Sequence, residues 1–130
     1  MEVRVLELKI THYVESGIPV MKLEGDVRIG DSSAALRLAV REYLSKGTKK
    51  LIIELAHVYY TDSSGIGEIF ASFTEAHKAG CIVVYAGLSP KVVDILTITN
   101  LLTVLDVYPS AAEAASRIAH LSFSDWHQNE

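Results

Sequence analysis

A cluster of small polar residues near the middle of the chain, Asp62-Ser63-Ser64-Gly65-Ile66-Gly67, could carry chemistry. Serine hydroxyls can act as nucleophiles or accept a phosphate, and the Asp62 carboxylate can accept hydrogen bonds from the N–H of Ser64 or Gly65. The glycines lower helix propensity by roughly 1 kcal/mol each relative to alanine, but they let a partner approach the backbone closely. These residue types together favour a site over a simple connection.

The elements on either side of this cluster explain what it can do. The apolar run Leu51–Leu55 precedes it, and apolar residues at helical spacing follow, namely Ile66, Ile69, Phe70, Phe73 and Ala76. Backbone N–H groups are unpaired where a helix begins, and the helix dipole is positive there. The cluster therefore either only caps the helix or carries a phosphorylatable Ser63. A phosphate would add roughly two negative charges and repel a partner docked over that surface.

The rest of the sequence predicts a single α/β domain with a mixed, largely parallel sheet and about four helices. An opening strand near residues 3–10 and a second one at Val20–Leu23 form an antiparallel pair around the turn at residues 15–19. Further strands are expected at residues 51–55, 81–85 and 103–108. Helices are expected to start at Asp31-Ser32-Ser33, Ser63, Ser89-Pro90 and Ser110, and to end near Gly47, Gly80, Asn100 and His120. Such alternation implies parallel strands joined by right-handed crossovers.

Composition excludes several classes of function. A net charge of -4 argues against direct nucleic-acid binding, and the apolar runs are too short for membrane insertion. The early charges of Met1-Glu2-Val3-Arg4 do not resemble a signal peptide, so we expect a cytoplasmic protein. The single cysteine, Cys81, is predicted to be a reduced core thiol. The five histidines lack metal-ligand spacing, so we expect neither a metal nor a cofactor.

With the residues around it, the serine cluster resembles the signature of STAS domains, in particular those of bacterial anti-sigma factor antagonists. The similarity extends to about Arg117 and includes residues 23–27, 86–93, 99–102, 108–110 and 113–115. It implies a STAS-type fold over residues 1–120, with residues 121–130 as a C-terminal tail. We expect this tail to be loose, except that Trp126 can fold back onto the domain.

The resemblance also implies a protein-binding function without enzymatic activity. In that family the unphosphorylated antagonist binds an anti-sigma factor, which releases a sigma factor for transcription. The anti-sigma factor is also a serine kinase that phosphorylates the serine after the aspartate, here Ser63, and a phosphatase resets the switch. We expect a monomer or weak homodimer. The residues expected to contact the partner are Asp26, Arg28, Asp62, Ser64, Gly65, Ile66 and Gly67.

Arg28 departs from the family pattern, because an acidic residue often occupies its position. Thr61 and Asn100 are smaller departures, at positions that are usually apolar and glycine, respectively. Arg28 keeps open a second interpretation, a STAS scaffold or a module of a transport or signalling complex whose serine is not phosphorylated. A third, a small serine hydrolase, requires His57 to meet Ser63, although the cluster lacks the glycine spacing of a nucleophile elbow.

Overall fold

The computed structural model describes residues 6–128, which form a single layer of β-sheet with helices on both faces. The elements are β1 (Lys9–Glu15), β2 (Ile18–Val27), α1 (Asp31–Ser45), β3 (Lys50–Thr61), α2 (Ser63–Lys78), β4 (Ile82–Ala86), α3 (Pro90–Ile98), β5 (Val107–Tyr108), α4 (Ala111–Ile118) and α5 (Phe123–Gln128). The sheet order is β1-β2-β3-β4-β5. Only β1 runs antiparallel to its neighbour, so the predicted mixed and largely parallel sheet is confirmed.

Alternating side chains of the central strands build two hydrophobic cores, one on each face. In β3, Leu51 and Ile53 join the larger core, which is covered by α1, α2 and α3. Ile52 points to the smaller core, where the alanines of α4 pack closely against the sheet. Burial on both faces explains why this strand is apolar without alternation.

Several predicted strands differ in length from the observed ones. β2 covers Ile18–Val27 rather than Val20–Leu23. β3 continues six residues past Leu55 to Thr61, because parallel pairing with β2 persists through two register shifts. The last strand is shorter than predicted. Asn100 has a left-handed φ of 59°, and the N–H groups of Val104 and Leu105 then donate to the Leu101 carbonyl, so the chain turns before β5.

The hairpin between β1 and β2 forms at the predicted turn, through positive φ angles at Ser16 and Gly17. Val3 and Val5, which were expected in the first strand, lie outside the described residues. The observed strand starts at Lys9 and extends to Glu15.

The predicted serine N-caps are confirmed for α3 and α4 but not for α1. Ser89 accepts a hydrogen bond from the Val92 N–H and Ser110 from the Glu113 N–H. α1 instead follows Gly30 and has no side-chain cap. The Ser32 hydroxyl is engaged with the backbone of Arg28, from whose N–H it accepts at 2.7 Å.

The helix α5 packs against the domain through Trp126. α5 brings the Trp126 indole into the smaller core, where it is 3% exposed, and its Nε1–H donates to Asp106. This agrees with the expectation that Trp126 folds back onto its own domain. α5 is also why the structure has one helix more than the sequence predicts.

Candidate functional site

Asp62 fixes the connection between β3 and α2 through two hydrogen bonds. Its Oδ1 accepts the Gly65 N–H at 2.8 Å, which is the expected N-cap of α2. Its Oδ2 accepts the Ile29 N–H at 3.0 Å, which ties the loop after β2 to the same carboxylate. Partial burial alone would raise the pKa of Asp62, but these N–H donors and the charge of Arg28 outweigh it and lower the pKa.

Ser63 is the first residue of α2, and its side chain is exposed. Ser64 is exposed as well. The hydrogen bonds of Asp62 hold the backbone on both sides of Ser63, so the hydroxyl is presented from a fixed position. A modifying enzyme can reach it without local unfolding.

The two glycines of the cluster have different surroundings. Gly65 is buried, and a Cβ there would lie 2.1 Å from the Val27 carbonyl oxygen and 2.3 Å from Oγ1 of Thr61. Gly67 is exposed, and a Cβ there would have no neighbour within 4 Å. The missing side chain at Gly67 therefore leaves room at the surface for a partner. The missing side chain at Gly65 instead lets the protein's own backbone pack closely.

Asp26 and Arg28 form an ion pair at the end of β2. Arg28 Nε donates to Asp26 Oδ2 at 3.0 Å, and the Asp26 side chain is almost fully buried while that of Arg28 is 26% exposed. The same Asp26 oxygen accepts the Leu6 N–H at 3.1 Å. Asp26 thus orients Arg28 from beneath the surface, and Arg28 is the member of the pair that a partner can reach.

Arg28 also packs on an aromatic ring that the sequence did not assign to the site. Its guanidinium carbon lies 3.8 Å from the centre of the Tyr60 ring, and Lys91 Nζ lies 5.7 Å from the same centre. Both contacts have cation–π geometry. The contact between Tyr60 and Arg28 depends on the strand register, in which Asp26 of β2 pairs with Tyr60 of β3. This pairing comes directly after a register shift between the two strands.

The residues expected to contact a partner divide by exposure. Ser64 and Gly67 are exposed, as is the expected phosphoacceptor Ser63. Arg28 and Asp62 are half-buried, and Asp26, Gly65 and Ile66 are buried. The buried members support the surface rather than form it, and Ile66 belongs to the larger core. Sequence reasoning missed Ile29, which is 74% exposed next to Asp62. An isolated apolar residue before a glycine gave no pattern that could have identified it.

A shallow pocket of about 490 Å³ adjoins this surface, between the start of α1 and residues 6–8. Asp26, Arg28 and Ile29 form one wall, and Asp31 and Ser32 contribute to another. The pocket is open to solvent and mixed in polarity, as suits a side chain of another protein.

The hydrolase interpretation needs a contact that this geometry does not provide. His57 lies within β3, paired in register with Glu24, and its ring meets Tyr59 edge-on. Its Nδ1 is buried without a hydrogen-bond partner, and among the hydrogen bonds of residues 6–128 none joins His57 to Ser63. Across the same residues, metal-ligating side chains do not gather in groups of three or more. None of the helices described there is long and apolar enough to cross a membrane.

Solved structures with similar folds include an anti-sigma factor antagonist from Mycobacterium paratuberculosis, with a TM-score of 0.73 and 19% identity over 87% of this chain and 95% of that one. The phosphorylated form of the Bacillus cell fate determinant SpoIIAA matches with a TM-score of 0.64 and 17% identity, over 86% of this chain and 99% of that one. SLC26A9 matches with a TM-score of 0.61 and 16% identity, over 87% of this chain but only 21% of its own length. At these identities the likeness is one of fold.

The sequence itself matches the family model of the STAS domain over residues 9–114. This range extends from the first residue of β1 into α4 and includes the serine cluster with all of its structural supports. The chain therefore belongs to the STAS domain family.

Proposed function

We propose that this protein is an anti-sigma factor antagonist that binds its anti-sigma factor when Ser63 is unphosphorylated and is released when Ser63 carries a phosphate. The observation that carries this proposal is the exposed Ser63 on the first turn of α2, directly after the N-cap Asp62. A phosphate there is compatible with the helix dipole, so the fold can persist in both states. The similarity in fold to antagonists, one of them in a phosphorylated form, supports the same function.

The surface around Ser63 has the features of a docking site. The exposed Ile29 and the open backbone at Gly67 flank Ser63, and Arg28 adds a positive charge. A phosphate placed among them changes the charge of the surface without moving its supports. The predicted result is a partner switch that controls sigma-factor-dependent transcription from the cytoplasm, with a serine kinase and a phosphatase acting on Ser63.

Phosphosite mapping of the protein from its native cells tests this function, with phosphatases inhibited during lysis. A phosphate on Ser63 is expected, and it should disappear from Ser63→Ala but not from Ser64→Ala, the adjacent exposed control. Tagged Ser63→Ala should retain the anti-sigma factor, whereas Ser63→Glu should lose it. An unmodified Ser63 in all growth conditions, with equal partner retention by all variants, would contradict the switch.

A second candidate function is a STAS scaffold or a module of a transport or signalling complex whose serine is not phosphorylated. Arg28 favours it, because a positive charge replaces the acid often found at that position. The match to one fifth of the much longer SLC26A9 chain also supports a role for this fold as part of a larger protein. In this case Ser63→Ala and Ser63→Glu should leave partner binding unchanged, whereas Arg28→Glu should weaken it.

A further inference from the structure

Arg28, Tyr60 and Lys91 form a group of two cations on one aromatic ring, and we call these three residues the cation clamp. The Arg28 guanidinium lies 3.8 Å and the Lys91 ammonium 5.7 Å from the Tyr60 ring centre. Arg28 Nε is committed to Asp26, but an arginine side chain carries further N–H donors in the same plane. The Tyr60 ring therefore packs against two cationic side chains whose remaining N–H groups can still donate hydrogen bonds.

The cation clamp is connected to the residues that directly precede Ser63. Tyr60 lies three residues before Ser63 in the chain. Asp62 Oδ2 accepts a hydrogen bond from the N–H of Ile29, which is the residue after Arg28. The charge of Arg28 contributes to the lowered pKa of Asp62, so the two groups interact electrostatically. Ser63 follows Asp62 directly and is exposed. Arg28 is therefore connected to Ser63 through Asp62, the residue immediately before it.

We propose that the cation clamp is an intramolecular receptor for a phosphate on Ser63, in which Arg28 bridges the buried Asp26 and the phosphate while Lys91 neutralises remaining charge. This proposal rests on the proposed function, because it concerns the phosphorylated state of the same serine. Arginine suits this bridge because its planar fork can serve two anions at once, which a lysine ammonium does less well.

The bridge changes what phosphorylation does to the protein. Asp62 would repel a phosphate on the neighbouring residue, and the clamp offsets that repulsion. Arg28 keeps its bond to Asp26, so the buried carboxylate is not left without its cation, which would be costly. A partner that contacts Arg28 loses that contact, in addition to meeting the new charge.

Phosphoserine can be installed at position 63 by genetic-code expansion, so the test needs no kinase. The phosphate pKa, followed by ³¹P NMR, is expected to be lower by roughly one unit with Arg28 present than in Arg28→Gln. Because Arg28→Gln leaves Asp26 buried and unpaired, the double variant Asp26→Asn/Arg28→Gln serves as the folded comparison. Arg41→Gln is the matched control, since Arg41 pairs with Glu75 between α1 and α2. Phosphoserine at position 64 is the positional control.

Direct contact is tested on the Arg28 side chain by ¹H–¹⁵N spectra. The signals of its Nη groups should become resolved in the spectrum when Ser63 is phosphorylated. The Arg28→Lys variant should lower the phosphate pKa by only part of the amount that Arg28 does. Equal phosphate pKa values in the parent and the double variant, or an unchanged Arg28 spectrum, would overturn the proposal. That result would leave the Ser63 switch standing. Conversely, absence of Ser63 phosphate from cells would refute the switch without altering the NMR result.

Discussion

Gly65 of α2 and Val27 of β2 meet backbone to backbone, so that a Cβ at Gly65 would lie 2.1 Å from the Val27 carbonyl oxygen. The same atom would lie 2.3 Å from Oγ1 of Thr61. The start of α2 is thus held against the ends of two neighbouring strands at a distance that only glycine permits. Gly67 is free of such neighbours, so the two glycines of the serine cluster serve the fold and the surface separately.

Gly65→Ala and Gly67→Ala are expected to shift stability in opposite directions. Gly65→Ala should lower the free energy of unfolding by about 1–3 kcal/mol, because the backbone must move to admit the methyl group. Gly67→Ala should raise it by up to about 1 kcal/mol, through better helix propensity. Urea denaturation followed by circular dichroism measures both. Equal destabilisation by the two variants would contradict the separate roles.

Gly67→Gln should weaken binding of the proposed partner, an anti-sigma factor, while the fold remains intact. The added side chain projects into the open space that a docked partner would fill, and it meets no atom of this chain at its Cβ. Ala79→Gln, at the exposed C-cap of the same helix, is the matched control. The dissociation constant of each variant for the anti-sigma factor checks this, and unchanged affinity for Gly67→Gln would place the interface elsewhere.

The contribution of Asp62 to stability should disappear in acid. Its folded pKa lies below the ordinary value of 3.8, so its stabilisation is fully present above pH 3.8 and is lost as pH falls through the folded pKa. Asp62→Ala should cost about 0.5–2 kcal/mol at pH 7 through loss of the N-cap, and less at pH 2–3. Urea titrations at both pH values, monitored by tryptophan fluorescence, test it. If the difference in the free energy of unfolding between the parent and Asp62→Ala were the same at both pH values, the N-cap would not depend on ionised Asp62.

The Cys81 thiol should be almost inert in the folded protein. Burial raises the pKa of Cys81 to about 11, although Lys49 partly opposes the shift. The thiolate is the reactive form, and the residue is inaccessible as well. Ellman's reagent at pH 8 should therefore react slowly with native protein and rapidly in urea. Rapid reaction under native conditions would mean that Cys81 is exposed by local opening.

Removal of the Trp126 side chain should destabilise the smaller core. The indole packs edge-on against Phe73 and donates from Nε1 to Asp106. Trp126→Ala should cost about 3–5 kcal/mol, whereas Trp126→Phe keeps an aromatic ring and should cost less. Thermal unfolding followed by far-ultraviolet circular dichroism compares them. Indistinguishable melting temperatures for Trp126→Ala and the parent would show that α5 adds no stability.

Sequence patterns predicted the order of elements because apolar spacing and capping residues are local signals. Ser89, Ser110 and Asn100 marked helix boundaries through hydrogen bonds or backbone angles that involve only nearby residues. The length of β3 was not predictable in the same way. Its last six residues are held by pairing with β2 across register shifts, and these depend on contacts between distant parts of the chain.

The part of the candidate site formed by Asp62 and Ser63 could be predicted from the sequence, whereas the surrounding contacts of Arg28, Tyr60 and Asp26 could not. Asp62 and Ser63 lie where a strand is followed by a helix, and these residue types are typical of a helix N-cap and of an exposed hydroxyl. The contact of Arg28 with Tyr60 joins residues far apart in sequence, and no local pattern encodes it. Burial of Asp26 likewise depends on the Leu6 backbone and on Arg28, so it follows only once the strands are placed.

The order of the strands in the sheet has a consequence for how the protein is made. Every pairing joins strands that are consecutive along the chain, but each parallel pairing must wait for the helix that connects its two strands, which makes such a sheet slow to form. Each new strand can add to the growing edge as it leaves the ribosome. α5 emerges after β5 and α4, and Trp126 then covers the smaller core. We therefore expect nascent chains that end before residue 121 to have a formed sheet and an uncovered face, which would bind chaperones until α5 has been synthesised.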